Sequence, residues 1–410
     1  MLRFLHLSDI HFHDNSRAAH LDLDAEVRKR LLIDLGTLVD KTGPCDAVLV
    51  VGDIGARGVA ADYEEATTFL TGVTNLVGCE ANRIVCVPGN HDIDRSVRQA
   101  THHAIRHQLR TCATKEINDV LVNVLKDPSA AAALFKPLDA YNEFALAFGC
   151  DISPGSPTWT PKTLPLGSRD LVIHGITSAW IADVVDDAAQ DETRLVAGAF
   201  QYIPVRASPH NITMTLCHHP HNWLRDAAEL NGWALSAHLI LSGHEHAFGI
   251  DLDHSRRWVR IASGAVNPSH AENGWYPAYN IIELDDVNDG NTELHVRVHI
   301  RRWLPDARFG PDPRFEDPHP FVLDLYRDGP VSEPTSAAVE PRPLNEIERT
   351  HGHSVMTSPA DRRRIVAKGL GMPGVPAPGL GGDRDILSWA VDSGKLAELA
   401  ARLVGESFDD

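Results

Sequence analysis

Carboxylates, imidazoles and one carboxamide recur in five short clusters along this 410-residue chain. They are Asp9-Ile10-His11, Gly52-Asp53, Gly89-Asn90-His91-Asp92, His218-His219-Pro220 and Gly243-His244-Glu245-His246. Any one alone reads equally well as a turn, since Gly, Pro, Asn and Asp are turn formers. Each, however, directly follows a short apolar run, and five in that position point to a shared site. Mixed carboxylate, imidazole and amide donors suit Mn²⁺, Fe or Zn²⁺ better than Mg²⁺ or Ca²⁺. Thiolates are missing from the clusters, which argues against a structural zinc site. In D-x-H and H-x-H an extended backbone sends alternate side chains the same way, so two donors reach one centre. The seven candidate ligands are Asp9, His11, Asp53, Asn90, His218, His244 and His246. That is too many for one tetrahedral ion and suits two, held roughly 3.5–4 Å apart by a shared carboxylate. His219 competes with His218 for its place.

Strands and helices must position these groups. The runs Leu2–Leu7, Ala47–Val51, Ile84–Val87, Leu171–Ile173, Ile212–Cys217, Leu239–Leu241 and Trp258–Ala262 read as strands buried on both faces. Helical patterns lie at about 24–40 and 61–77. Alternating strand and helix implies an α/β layered domain, whose ligands gather at the carboxyl ends of strands. Residues 95–150 read as helices inserted after His91, either packing filler or a lid that shapes the substrate site. His102, His103 and His107 within them read as solvated helix positions.

The formal charge of −18 argues against a broad basic surface for duplex nucleic acid. Six scattered cysteines without a C-x-x-C pair read as reduced thiols. With no signal peptide or membrane span in view, the expected location is cytoplasmic. Three segments are expected: a main domain over 1–325, a Pro-rich linker over 326–344 and a small helical domain over 345–410.

The ordered set D-x-H, GD, GNHD, H and GHxH over about residues 1–300 resembles the calcineurin-like metallophosphoesterase superfamily. LHLSDIHF, with a histidine in GNHD, is most similar to its bacterial phosphodiesterase-like branch. The resemblance implies a four-layer β-sandwich flanked by helices. It implies one ion on Asp9, His11 and His246, a second on Asn90, His218 and His244, and Asp53 bridging. The ions, most simply Mn²⁺ with Fe, Zn²⁺ or Ni²⁺ as alternatives, would supply electrostatic stabilisation and a hydroxide nucleophile. His91 would stay off the metals as the acid facing phosphate. Asp92 would orient its ring, unless it serves only as a helix N-cap. Arg57, His219 and Trp223 are candidate substrate contacts. Trp223, Trp275 and Tyr276 either stack on a base or pack in the core.

The reaction implied is phosphoester hydrolysis, with a diester of a nucleotide or single-stranded nucleic acid favoured over a monoester. The segment ILSWAVDSGKLAELAARLV is similar to small death-like adaptor domains of bacterial antiphage systems. On that reading the tail recruits a protein partner and gates the esterase; otherwise it caps the main domain. A membrane partner is not expected, and a homo-oligomer is left open.

Overall fold

The runs Leu2–Leu7, Ala47–Val51 and Ile84–Val87 have no polar face, and all three are strands buried throughout. In the computed structural model of the chain, the described residues are 1–13, 23–97, 99–186, 195–202, 211–226, 237–252, 257–268, 276–286 and 293–325. The chain divides into Met1–Arg327 and Asp328–Asp410, and the described residues all belong to the first unit. The expected linker and helical tail lie outside them, as does Trp275.

In chain order the elements are β1 (Leu2–Leu7), α1 (Leu23–Thr42), β2 (Ala47–Val51), α2 (Ala60–Val77), β3 (Ile84–Val87), α3 (Ala100–Thr111), α4 (Ile117–Lys126), α5 (Pro128–Phe135) and α6 (Asp139–Leu146). There follow β4 (Lys162–Leu166), β5 (Arg169–Ile176), α7 (Ala199–Tyr202), β6 (Asn211–Cys217), β7 (Leu239–Ser242), β8 (Phe248–Leu252) and β9 (Val259–Ser263). The last are β10 (Ala278–Asp286), β11 (Glu293–Trp303), β12 (Phe309–Pro311) and β13 (His319–Asp324).

Two sheets share one apolar core, giving the expected α/β sandwich with flanking helices. The first runs β12-β11-β10-β1-β2-β3, with β13 also on β11. Its parallel part, β1-β2-β3, is joined through α1 and α2. The second runs β4-β5-β6-β7-β9-β8, parallel from β5 to β9 with antiparallel edges.

Helix α1 buries a stripe of Val27, Leu31, Leu35 and Leu38, the spacing of an amphipathic helix. Arg301 of β11 makes a bidentate pair with Asp34 of α1 (2.6 and 2.9 Å), and the Tyr279 hydroxyl donates to the same carboxylate at 2.7 Å. These bonds pin the helix to the outer face of the first sheet. Helix α2 ends at Gly78, whose left-handed backbone lets its N–H cap Thr74 O.

The stretch after His91 carries helices α3 to α6. Phe144 of α6 stacks on Tyr63 of α2 with ring centroids 5.1 Å apart. His102 departs from expectation: it is buried, with Nε2 3.3 Å from Trp180 O, because the loop after β5 folds over that face of α3. No described helix is long and apolar enough to cross a membrane.

All five clusters follow parallel strands. Asp9–His11 follows β1, Gly52-Asp53 follows β2 and Gly89–Asp92 follows β3. His218-His219 follows β6, and Gly243–His246 follows β7.

Candidate metal centre

Three of the five strand-end loops, those after β1, β2 and β7, are strained where candidate ligands sit. Asp9 (φ 53°), His11 (54°), Asp53 (50°), His244 (67°) and His246 (52°) all have left-handed backbone. Among the described residues, Ala307 is the one other non-glycine with positive φ. Such conformations cost on the order of 1–3 kcal/mol each and persist where the surroundings enforce them, commonly at functional sites. Asp and His tolerate the region better than branched residues.

This corrects the expectation of extended D-x-H and H-x-H segments. The convergence of donors comes instead from loops that curl against each other. Asp9 N donates to Gly52 O (3.1 Å), Ile10 N and His11 N both donate to Asp53 O (2.9 and 3.0 Å), and Phe12 N donates to Ile54 O (2.8 Å). The loop after β1 therefore continues to pair with the loop after β2, and that pairing bends it.

Two glycines allow the loops to close. A Cβ at Gly89 would collide with the Asp53 carboxylate, and one at Gly243 with the Ser8 hydroxyl. Ser8, unremarked in the sequence, places Oγ 2.5 Å from Asp9 Oδ2 and 2.7 Å from Val51 O. His244 N donates to the same Asp9 oxygen at 3.1 Å.

The side chains form overlapping donor groups. Asp9, His11 and His246 bring their donor atoms within 4.8 Å of one another, as do His218, His219 and His244. Asp53 joins groups on either side, one with His11 and His91 and one with Asp9 and His218. Its Oδ2 stands 4.0 Å from His11 Nε2 and 3.4 Å from His218 Nε2. His218 Nε2 is 3.1 Å from Asn90 Oδ1, and His246 Nε2 is 3.3 Å from Asp9 Oδ1.

These spacings test whether ions fit. Donors about 2.0–2.2 Å from one ion stand roughly 3.0–3.5 Å apart, the edge of an octahedron or tetrahedron. The three separations of 3.1, 3.3 and 3.4 Å fall on that edge. Asp9 Oδ1 is also a buried oxygen without an aligned hydrogen bond among the described residues. The donor set fits divalent ions.

Electrostatics point the same way. Burial alone would push Asp9 and Asp53 up, but the neighbouring histidines, His218 foremost, hold both carboxyls well below the usual range. Burial opposes charge on His218, yet Asp53 and Asp9 outweigh it and raise its imidazole to about 9. Burial keeps His11 and His244 neutral, at about 4 and 3. The His218 imidazolium thus offsets only one of the two carboxylate charges, and the negative charge left over favours a cation.

His91 lies over this group, its ring 4.7 Å from that of His11, with Nδ1 3.1 Å from Ala56 O. Asp92 does not orient it. Asp92 accepts from Ile54 N (3.2 Å), Gly55 N (2.8 Å), Gly89 N (2.9 Å) and the Tyr63 hydroxyl (2.9 Å). The carboxylate clamps two loops together, and the Ala56 carbonyl engages the imidazole. Nor does Asp92 cap α3, which starts at Ala100 behind Gln99. Burial and the charge of Asp53 push the Asp92 carboxyl up to about 6.

Arg57 pairs with Asp62 (2.6 Å), and its side chain is half exposed. Trp223 is partly exposed with its ring 4.3 Å from that of His244, at the edge of the donor group. Tyr276 lies under the Arg302 guanidinium (4.0 Å) on the first sheet. His219 is fully buried beside Asn90, together with Ser178, a residue the sequence gave no reason to single out.

Comparison with known proteins adds the following. The profile of the calcineurin-like phosphoesterase family matches residues 2–248. A curated relative, an uncharacterized metallophosphoesterase-like protein YydB of Bacillus subtilis, is 31% identical over 96 residues. That stretch is 23% of this chain and only 18% of the relative's length. Among solved structures, SoxB, a sulfate thiohydrolase of Thermus thermophilus, aligns at 15% identity over 72% of this chain and 56% of its own, with a TM-score of 0.36. Zn²⁺-complexed Vps29 of Entamoeba histolytica aligns at 12% identity over 79% of this chain and 100% of its own, with a TM-score of 0.32.

Proposed function

Because the chain belongs to the calcineurin-like phosphoesterase family, we propose that it is a phosphodiesterase that works with two divalent ions on a nucleotide or single-stranded nucleic acid. The observation that carries this reading is the convergence of seven donors from five strand-end loops, three of them strained, with His91 poised beside them. Asp9, His11 and His246 would hold one ion, Asn90, His218 and His244 the other, and Asp53 both. Two bound ions would supply positive charge beside the phosphoryl oxygens and a more acidic water.

The residues of the chain do the rest. With Nδ1 engaged by Ala56 O at 3.1 Å, His91 carries its transferable proton on Nε2. Delivery of that proton to the leaving oxygen helps most when the leaving group is an alkoxide, as in a nucleotide diester. Asn90 contributes an oxygen without adding charge, which keeps the site from repelling an anionic substrate. Trp223, at the rim beside His244, offers a ring on which a base can stack. The charge of −18 favours a small nucleotide or a single strand over duplex DNA.

The test is hydrolysis of bis-p-nitrophenyl phosphate against p-nitrophenyl phosphate, with Mn²⁺, Ni²⁺ or Zn²⁺ added. Metal-dependent diester turnover supports the reading, and nucleotide and single-strand substrates come next. Turnover of the monoester alone would replace it with a phosphomonoesterase.

A further inference from the structure

The metal reading assigns the imidazole of His218 to an ion and leaves its neighbour His219 without a role. His219 is as deeply buried and points its Nε2 at the same atom, Asn90 Oδ1, from 3.1 Å. On its other side, Nδ1 lies 2.7 Å from the Ser178 hydroxyl, just beyond the end of β5. Unlike His218, it has no carboxylate within ion-pairing distance among the described residues. We infer that Ser178 and His219 form a positioning pair that fixes the Asn90 carboxamide with its oxygen, rather than its amino group, toward the metal centre.

The physical need is specific to asparagine. A carboxamide has an acceptor end and a donor end of almost equal size, and only the oxygen ligates a cation. A buried amide next to a cation site therefore needs a donor to break the tie. Ser178 Oγ receives the backbone N–H of His219 at 3.4 Å and can turn its own hydrogen toward Nδ1. An accepting Nδ1 places the ring proton on Nε2, where it donates to Asn90 Oδ1. The second lone pair of that oxygen remains for the ion. His218 differs: its Nδ1 faces Val51 O at 2.8 Å, a pure acceptor, so the proton sits on Nδ1 and Nε2 is the ligand. With an ion on His218 Nε2, the adjacent histidines would thus hold opposite tautomers.

This inference rests on the dinuclear reading, and the experiment separates the two. Mn²⁺ and Zn²⁺ binding to the full, chelator-stripped chain is measured by titration for the wild type, Ser178→Ala, His219→Gln and His219→Ala. Each is repeated in an Asn90→Asp background, with melting curves to confirm folding. A carboxylate has two equivalent oxygens and needs no tie-breaker. The expected result is a second ion bound about 10–100-fold more weakly in Ser178→Ala and His219→Ala, as for other outer partners of metal ligands. The same changes should have little effect in the Asn90→Asp background. A loss that persists in that background would make His219 itself a ligand and overturn the inference. So would unchanged affinity in the Asn90 chain. A wild-type chain that takes up no second ion would overturn the dinuclear reading, and the inference with it.

Discussion

Replacing Asp92 by alanine removes one buried acceptor that four donors share: the N–H groups of Ile54, Gly55 and Gly89 and the hydroxyl of Tyr63. A buried donor left unsatisfied costs about 1–3 kcal/mol, so four set an upper range of about 4–12 kcal/mol. Water entering the vacated space can satisfy some of them, since buried waters typically make about three hydrogen bonds. The expected destabilisation is therefore about 3–5 kcal/mol, a large part of the ~5–15 kcal/mol that holds a folded domain. For a domain of this size that is a fall in Tm of about 6–15 °C. Tyr63→Phe removes a single donor and should cost about 1 kcal/mol. Thermal unfolding followed by circular dichroism measures both, with hydrolysis of a diester that has an alkoxide leaving group recorded well below each Tm. If Asp92→Ala melted with the wild type while turnover fell to the level of His91→Ala, the carboxylate would be acting through the imidazole. The clamp assigned to it would then be wrong.

Other outcomes follow from the same geometry. Gly89→Ala drives a methyl group into the Asp53 carboxylate, so metal uptake should drop in a titration; retained uptake would show that the loop can yield. His91→Ala should slow hydrolysis of diesters with alkoxide leaving groups by about 10²–10⁴-fold while sparing p-nitrophenolate, if the residue is an acid. Equal losses on both substrates would exclude that role. Away from the site, the His299 ring 3.8 Å away and hydrogen bonds from Arg297 and Arg3 lower the Glu283 carboxyl from its ordinary 4.5 to about 2. A depressed acid stabilises the fold above its unfolded pKa and loses that contribution as pH falls through the folded one. Urea unfolding should therefore show wild-type stability declining between pH 4.5 and about 2 more steeply than that of Glu283→Gln.

The parallel strands were legible because burial on both faces leaves a mainly apolar run, unbroken in β2 and β3 and interrupted in β1 by the buried Arg3 and His6. β1, β2 and β3 have the bounds read from Leu2–Leu7, Ala47–Val51 and Ile84–Val87. The antiparallel half of the first sheet was not anticipated, although ELHVRVHIRRW alternates in the period of a strand. Leu294, Val296, Val298 and Ile300 point inward, while Arg297 and its neighbours meet carboxylates on the other face. The candidate donors were identifiable by type and order, and they meet in space. How they meet was not, because the left-handed turns at Asp9, His11 and Asp53 are imposed by loop-to-loop hydrogen bonds. Chain adjacency misled at Asp92, since neighbouring side chains on a tight turn diverge and its carboxylate went to other loops. Ser178 carried no sequence signal at all: a lone serine after a strand acquires meaning only when β5 lies beside β6 and brings it to His219.

Reactivation of the chelated chain decides whether the protein is a two-ion phosphodiesterase. Mn²⁺ or Zn²⁺ would be titrated into metal-free protein while bound ion and bis-p-nitrophenyl phosphate turnover are followed together. The expected result is activity that rises to a break at two equivalents per chain, with no recovery in Asp53→Ala. Full diester activity in the metal-free chain, a break at one equivalent, or undiminished recovery in Asp53→Ala would contradict the claim.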